Sequence, residues 1–189
     1  MSNFTLTAQS PLGGYKNDFD NVTLTELTSL AVVSIATPID GRDKLAKAVD
    51  SAFGAALPDI GTSSYTGNDD TRLLGLQRDQ MFLLFEHEGD DALAVVTNKL
   101  GEVGYYTDQS DTWAILRMTG PGSRTALERI CMLDLSPEVF SVGAVARTTM
   151  EHLGVMILRD DTDSFLLMSS RSSARSFLHA IETSIRYTT

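Results

Sequence analysis

The stretch FLLF at residues 82–85 recurs as FLLM at residues 165–168, 83 positions further along the chain. A second pair of segments has the same offset, because LAVVSIATP at residues 30–38 matches WAILRMTGP at residues 113–121. Each pair contains an apolar run of strand length, and the second pair ends in a turn marked by proline. Two separate pairs of matching segments that share one offset indicate a duplicated unit.

Each copy of the unit is predicted to have the same order of elements: a strand, a helix, two strands and a second helix. The first helix has an apolar stripe formed by Leu45, Val49 and Phe53. Helices with one apolar face that alternate with short strands predict an α+β fold, with two ferredoxin-like halves and mostly antiparallel sheets. We expect the repeats at about residues 29–103 and 104–187, sharing one core because neither need be stable alone.

The N-terminal segment differs in character from the rest of the chain. Residues 1–28 are rich in Thr, Asn, Asp and Gly and show neither sustained helical nor strand periodicity. We therefore predict an extended N-terminal arm over residues 1–28, followed by a single body over residues 29–189. Because the arm is poor in apolar residues, we expect it to lie along a neighbouring chain.

Composition excludes several partner classes. The 189 residues include 15 Lys and Arg against 25 Asp and Glu, a formal net charge of −10. Phosphate binding relies on clustered Lys and Arg, so we expect neither nucleic acid nor a membrane surface as a partner. The single cysteine, Cys131, cannot form an internal disulfide, and the first residues contain neither a basic nor an apolar segment. These features predict a cytoplasmic protein.

The sequence contains no constellation that predicts catalysis or metal binding. In Glu86-His87-Glu88, a strand would point the imidazole away from both carboxylates. Cys131 shares the apolar face of a helix with Ile130, which favours packing over a nucleophilic role. We therefore predict no catalytic residue and no metal site. The sequence does not identify any residue that binds a cofactor.

The loop GPGS at residues 120–123 connects a predicted strand to a predicted helix. A helix N-terminus of this kind can bind an anion. The loop lacks the lysine of a P-loop and the spacing of a dinucleotide motif. Since the turn at residues 37–38 occupies the same place in the first copy, we interpret the loop as a tight turn with a cap.

Three segments of the second half resemble a known family. DQSDTW at residues 108–113, VGAVART at residues 142–148 and DSFLLMSSR at residues 163–171 are similar to characteristic segments of the gamma subunits of heterotetrameric sarcosine oxidase. These are small members of the folate-related aminomethyltransferase superfamily. The resemblance is most specific from Tyr106 onward, and it implies the fold of the N-terminal part of the glycine-cleavage aminomethyltransferases.

One departure from the aminomethyltransferase pattern bears on function. In that family the corresponding strand leads through paired glycines into carboxylates, one of which works at the folate end of the one-carbon transfer. Here residues 154–158 read GVMIL, and Asp160 and Asp161 come two or three positions later, in a predicted turn. The resemblance therefore implies inherited shape without inherited chemistry, as in a non-catalytic or accessory subunit.

The resemblance also implies a set of partners. It implies a complex that oxidatively demethylates sarcosine and passes the one-carbon unit to tetrahydrofolate. FAD, FMN, NAD, tetrahydrofolate and zinc would be held by partner subunits named alpha, beta and delta, and none by this chain alone. Two alternatives stay open: a free-standing folate-binding aminomethyltransferase-like protein, and a non-catalytic module with a regulatory ligand between its halves.

A subunit of this kind is expected to have interface anchors. Permanent interfaces are large and apolar, often above ~2,000 Å², with aromatic residues near their centres. We take as candidates the aromatic residues that lie in or beside segments of weak periodicity. These candidates are Tyr15, Phe19, Tyr105, Tyr106 and Trp113.

Overall fold

The computed structural model describes residues 8–66 and 71–188. Their strands are β1 (Lys16–Phe19), β2 (Val22–Glu26), β3 (Leu30–Ala36), β4 (Ser63–Thr66), β5 (Thr71–Gln77), β6 (Gln80–Glu86), β7 (Tyr105–Asp108), β8 (Trp113–Thr119), β9 (Val145–Met150), β10 (Leu153–Asp161) and β11 (Ser164–Ser170). Their α-helices are α1 (Arg42–Phe53), α2 (Ala92–Leu100), α3 (Ser123–Glu128) and α4 (Ala174–Arg186).

The strands form two antiparallel sheets. One sheet has the order β1-β2-β8-β11-β10-β9, and the other has the order β4-β5-β6-β3-β7. The runs β4-β5-β6-β3 and β9-β10-β11-β8 are the same arrangement, which confirms the α+β fold with two related halves. Each unit has one strand more than predicted between its helices. In the first half the missed strand is β4, whose sequence SSYT offers no apolar run.

The pairing register corrects one part of the repeat. In the first half Ser34 pairs with Phe82, and in the second half Arg117 pairs with Leu166. Ser34 and Arg117 are 83 positions apart, whereas Phe82 and Leu166 are 84 apart. Phe82 and Leu166 face the layer between the sheets, but Phe165 lies in the core under the helices. The match of Phe82 to Phe165 is therefore wrong by one residue, which changes the face of the sheet.

The two halves are joined by a symmetric pair of hydrogen bonds. The N–H of Ser63 donates to the carbonyl of Gly143 at 2.8 Å, and the N–H of Val145 donates to the carbonyl of Gly61 at 3.0 Å. Ser63 and Val145 begin β4 and β9, and the two glycines have φ of +82° and +88°. Equivalent residues thus exchange equivalent bonds, as they do across an isologous two-fold interface.

Both faces of each sheet are covered. Helices α1 and α2 pack on the outer face of the five-stranded sheet, and α3 and α4 pack on the outer face of the six-stranded sheet. Between the sheets lies an apolar cluster, which we call the inter-sheet layer. Its buried members are Val32, Leu74, Phe82, Leu84, Ile115, Val145, Met156, Leu158, Leu166 and Met168. Strands buried on both faces are continuous apolar runs, as β6 and β11 are.

The N-terminal segment is part of the fold. Strands β1 and β2 form a hairpin, and β2 pairs with β8 in the position that β7 takes beside β3. The hairpin thus supplies, as β2, the fifth strand in the row that begins at β9, just as β7 is the fifth strand in the row that begins at β4. The predicted arm is therefore wrong for residues 16–26, and residues 1–7 lie outside the described residues. The first repeat also ends later than residue 103, because β7 belongs to its sheet.

The loop at residues 120–123 fixes this hairpin in place. Gly120 has φ of +113°, and a Cβ there would lie 2.4 Å from the carbonyl oxygen of Asn21. That carbonyl accepts the N–H of Gly122 at 3.1 Å. The glycines therefore permit close approach of the hairpin turn, which gives the predicted tight turn a structural purpose.

Truncation of Leu24 tests whether the hairpin stabilises the isolated chain. Leu24 is fully buried in the second-half core, so Leu24→Ala should lower the free energy of unfolding by about 2–5 kcal/mol. The matched control is Leu93→Ala on α2, where the leucine is 38% exposed and the loss should be well below that range. Guanidinium denaturation of both variants measures the difference. Equal stabilities would contradict the structural role of the hairpin.

Candidate functional site

Two of the three resemblance segments meet at one end of the structure. Residues 108–113 run from the end of β7 through a short 3-10 turn into β8, and residues 163–171 contain β11. Trp113 and Ser170 are paired in the register of β8 and β11. Together with the first half, these segments line a cleft of about 840 Å³, which we call the junction cleft. The third segment, residues 142–148, lies instead at the bonds that join β4 and β9.

The junction cleft has an apolar floor. Leu27, Leu30 and Trp113 are half-buried and pack against the inter-sheet layer, and Ile115 is a buried member of it. The cleft is thus the place where this layer reaches the surface. Its rim is polar and includes Ser10, along with hydroxyl, imidazole, carboxylate and guanidinium groups from both halves.

The floor and rim come from equivalent positions in the two repeats. Leu30 and Trp113 are the first residues of β3 and β8. His87 and Arg171 directly follow β6 and β11, which pair with those strands. The cleft therefore lies on the local two-fold relation between the halves, with different side chains on its two sides.

Trp113 contributes a polar atom as well as apolar surface. Its ring packs edge-on against Phe82, with ring centroids 6.1 Å apart and an interplanar angle of 61°. Its indole Nε1 is buried and has no hydrogen-bond partner among the described residues. A buried donor without an acceptor is uncommon in folded proteins. Trp113 therefore combines an apolar contact with an unused donor.

The Asp108-x-Ser110 part of the resemblance segment has a structural role. The side chain of Asp108 accepts the N–H of Ser110 at 2.8 Å, which forms a local turn. The hydroxyl oxygen of Ser110 accepts the N–H of Val32 at 3.1 Å, and the N–H of Gln109 donates to the carbonyl of Val32 at 2.7 Å. These bonds fasten the connection between β7 and β8 to β3, and they fix the start of β8 where Trp113 stands.

Arg171 is the cation of the junction cleft. Its guanidinium lies 3.5 Å from the carboxylate of Asp111, which is fully exposed, and it donates to the carbonyl of Gln9. An exposed ion pair of this kind contributes little stability. No periodicity marks Arg171 or Leu27 as cleft residues. The signal that points to Arg171 is its place at the end of the resemblance segment.

The five predicted interface anchors are not brought together. Tyr15 and Phe19 pack against the second-half core, and Tyr106 packs against the first-half core. Tyr105 is 69% exposed on the edge strand β7, and Trp113 lies in the junction cleft. None of the five is fully buried. Their role at an interface stays a prediction.

Two of these tyrosines have perturbed phenols. Burial, together with the hydrogen bond that its hydroxyl donates to Glu182, raises the pKa of Tyr15 to about 12. Burial also raises the pKa of Tyr106, whose hydroxyl donates to the carbonyl of Gly101 at 2.8 Å. Both phenols are thus held by contacts inside the chain.

The departure from the aminomethyltransferase pattern is visible in β10. Val155 to Leu158 are buried apolar residues of this strand, where the resemblance places carboxylates in the enzymes. Asp160 and Asp161 lie at the end of β10 rather than in the turn that was predicted. Asp160 forms an ion pair with Arg117 at 3.3 Å. The middle of the strand therefore offers packing and no acid–base group.

Other candidate chemistry also has structural partners. His87 makes a 2.8 Å hydrogen bond to Asp91, and Cys131 is buried in the second-half core. Within residues 8–66 and 71–188, no group of three or more His, Cys, Asp and Glu is placed to hold a metal ion. In the same part of the chain no helix has the length and apolarity to cross a membrane.

Comparison with known proteins extends the resemblance. The chain is 28% identical over 133 residues to the sarcosine oxidase subunit gamma of Corynebacterium sp. (strain P-1), covering 70% of this chain and 65% of that protein. It is 28% identical over 122 residues to the Arthrobacter sp. subunit gamma, covering 64% and 60%. The chain resembles sarcosine oxidase gamma subunits. The matches span just under two thirds of the length of these relatives, and no family model matches.

Solved structures show the same fold. A chain of the heterotetrameric sarcosine oxidase from Corynebacterium sp. U-96, in complex with pyrrole 2-carboxylate, superposes with a TM-score of 0.80 at 23% identity, covering 96% of both chains. The glycine cleavage system aminomethyltransferase T from Bartonella henselae superposes with a TM-score of 0.61 at 17% identity, covering 85% of this chain and 45% of that one. The fold is therefore shared with both proteins.

The raised pKa of Tyr15 predicts a loss of stability at high pH. Because the folded-state pKa of about 12 lies above the ordinary value of 10.0, the folded chain holds this proton more tightly than the unfolded chain. The stabilisation is complete below pH 10 and is lost as the pH rises toward 12. Tyr15→Phe has no phenol to ionise at this position, so its free energy of unfolding should fall less between pH 10 and pH 12 than that of the unmodified chain. Chemical denaturation across that pH range measures the difference.

Glu182→Gln provides the companion test. It removes the carboxylate but leaves the phenol buried, so the pKa of Tyr15 should fall only part of the way toward its ordinary value. The pKa is measured by ultraviolet titration of tyrosinate, as a difference between each variant and its Tyr15→Phe counterpart. A Tyr15 that titrates near 10 in the unmodified chain would contradict the assignment.

Proposed function

We propose that this chain is an accessory subunit, of the gamma type, in a heterotetrameric sarcosine oxidase. The complex would oxidatively demethylate sarcosine and pass the one-carbon unit to tetrahydrofolate. The observation that carries the proposal is the combination of 28% identity to sarcosine oxidase gamma subunits with a likeness over 96% of both chains to part of a heterotetrameric sarcosine oxidase. The site that supports it is the junction cleft, which two of the three resemblance segments help to line.

In this proposal the chemistry takes place on other subunits. FAD, FMN, NAD, tetrahydrofolate and zinc would belong to the alpha, beta and delta partners, in the cytoplasm. The apolar middle of β10 supports an accessory role, because it fills with packing side chains the place where the enzymes are expected to carry carboxylates. A rigid subunit can contribute by holding partner surfaces in position.

Among the predicted anchors, Tyr105 is the one best placed to contact a partner. It is 69% exposed, and it stands on β7, which forms the outer edge of the five-stranded sheet. An exposed strand edge and a large aromatic ring are both features that protein interfaces use. Tyr15, Phe19 and Tyr106 are half-buried against the cores of the chain, so they contribute less free surface.

The alternative of a free-standing folate-binding aminomethyltransferase-like protein is less favoured. The likeness to aminomethyltransferase T covers only 45% of that chain and has the lower TM-score of 0.61. Titration calorimetry with tetrahydrofolate separates the two functions. The accessory-subunit proposal predicts no heat of binding for the isolated chain, whereas the alternative predicts saturable binding.

Co-purification tests the proposed assembly directly. The chain, tagged and expressed in its native host, should elute with larger subunits and with flavin absorbance, and intact-mass measurement should identify a four-subunit complex. The complex should oxidise sarcosine. A chain that elutes alone as a monomer would contradict the proposal.

Substitution at Tyr105 tests the anchor within that complex. Tyr105→Ala should weaken assembly by about tenfold or more, since truncating an aromatic hot-spot residue costs about 2 kcal/mol or more. The matched control is Tyr187→Ala, because Tyr187 is 73% exposed and packs against Arg129 on α4's side of the molecule. Sedimentation of the reconstituted complex measures both affinities. If the Tyr105→Ala and Tyr187→Ala variants assemble with equal affinity, Tyr105 is not an interface anchor.

A further inference from the structure

We propose that the junction cleft binds an extended segment of a partner subunit, with an apolar side chain against Trp113 and a carboxylate against Arg171. This inference rests on the proposed function, because it names the kind of surface through which the subunit docks. It concerns a site distinct from the exposed edge at Tyr105. The support comes from the floor, the shape and the charge of the cleft.

The floor is a section of hydrophobic core that lacks a cover. Leu27, Leu30 and Trp113 pack against the inter-sheet layer but are only partly buried at its end, beside the buried Ile115. Burial of such surface stabilises by roughly 25 cal/mol per Å². An apolar side chain that enters the cleft would extend the inter-sheet layer by one more member.

The shape of the cleft favours a polypeptide over a small molecule. Small-ligand sites typically enclose 70–90% of their ligand. The junction cleft has a volume of about 840 Å³ but is only partly enclosed. A chain segment suits this geometry, because one face of the segment can pack on the floor while its other face continues the body of the partner.

The charges of the cleft define the polar part of the occupant. Arg171 is the single Lys or Arg among the described lining residues, and its carboxylate neighbour Asp111 is fully exposed at 3.5 Å. A carboxylate from the partner can replace this weak pair with a shielded one, in which the attraction is larger because less water competes, against the cost of removing water from both charges. On the other side of the two-fold relation, His87 is already bonded to Asp91 at 2.8 Å.

The unused donor of Trp113 fits the same occupant. The indole Nε1 has no acceptor among the described residues, and Arg171 retains N–H groups beyond its contacts with Gln9 and Asp111. An extended segment presents backbone carbonyl oxygens at regular intervals. Because the indole Nε1 is buried, the ring has to rotate on binding before its N–H can donate to one of them.

The single tryptophan of the chain makes the cleft observable. Trp113 is the only Trp in the sequence, so a chain labelled with 5-fluorotryptophan gives one ¹⁹F resonance from the cleft. The labelled chain is combined with unlabelled partner subunits to form the complex. The resonance should shift on assembly, and its broadening by a soluble paramagnetic agent should decrease by severalfold. The isolated chain should show neither change as its concentration is raised.

A matched pair of arginine variants tests the carboxylate contact. Arg171→Gln should weaken assembly by about tenfold or more, equivalent to about 1.4 kcal/mol. Arg124→Gln should leave it unchanged, since Arg124 has a similar exposure, 43% against 39%, and pairs with Glu128 away from the cleft. Circular dichroism confirms that both variants are folded.

The outcomes separate the two proposals. If no flavin-containing complex forms at all, the proposed function fails. If the complex forms while the Trp113 resonance keeps its position and its broadening, the function stands and the cleft is not the docking site. A shift that appears in the isolated chain at high concentration assigns the cleft to a second copy of this chain and overturns the inference. Equal affinities of the two arginine variants overturn the carboxylate contact.

Discussion

The inter-sheet layer is the interaction on which the rest of the structure depends. The five-stranded sheet contributes Val32, Leu74, Phe82 and Leu84 to it, and each is buried. At about 1.5–3 kcal/mol for each fully buried side chain, exposing these four alone would cost about 6–12 kcal/mol. The total stability of a domain is about 5–15 kcal/mol. Neither repeat can therefore leave its partner and remain folded, so the duplicated halves behave as one body.

Periodicity in the sequence predicts the buried elements well and the edges poorly. The central strands and the helix stripes follow from local apolar patterns, since their side chains meet the core directly. The register of β6 against β11 does not, because FLLF and FLLM are apolar at every position and carry no alternation to distinguish the two faces. Strand β4 was missed for the opposite reason, because its polar residues gain strand structure only from pairing with β5.

The N-terminal hairpin shows a second limit of local patterns. In β2 the residues VTLTE alternate with a period of two, but the pattern is only five residues long, only Val22 and Leu24 are apolar, and the strand ends in a buried carboxylate, Glu26. That carboxylate accepts the backbone N–H groups of Leu12 and Gly14 at 2.9 Å and 2.7 Å. These hydrogen bonds join residues that are more than ten positions apart, so local sequence patterns do not predict them. The same holds for the site. Trp113 is predictable as an aromatic residue beside an irregular segment, but Arg171 is brought near it only by the pairing of β8 with β11.

The difference between the two sides of the junction cleft would give the proposed docking a direction. A perfectly symmetric cleft would accept an extended segment equally well in either orientation, because both sides would offer the same groups. Here the first half has Leu30 at the position where the second half has Trp113, and it has His87 where the second half has Arg171. The charged donor and the indole N–H thus lie on the second-half side alone, while the first-half side offers a leucine and an imidazole already bonded to Asp91. The different side chains at equivalent positions therefore give the junction a defined polarity, which would favour one orientation of the proposed segment over the other.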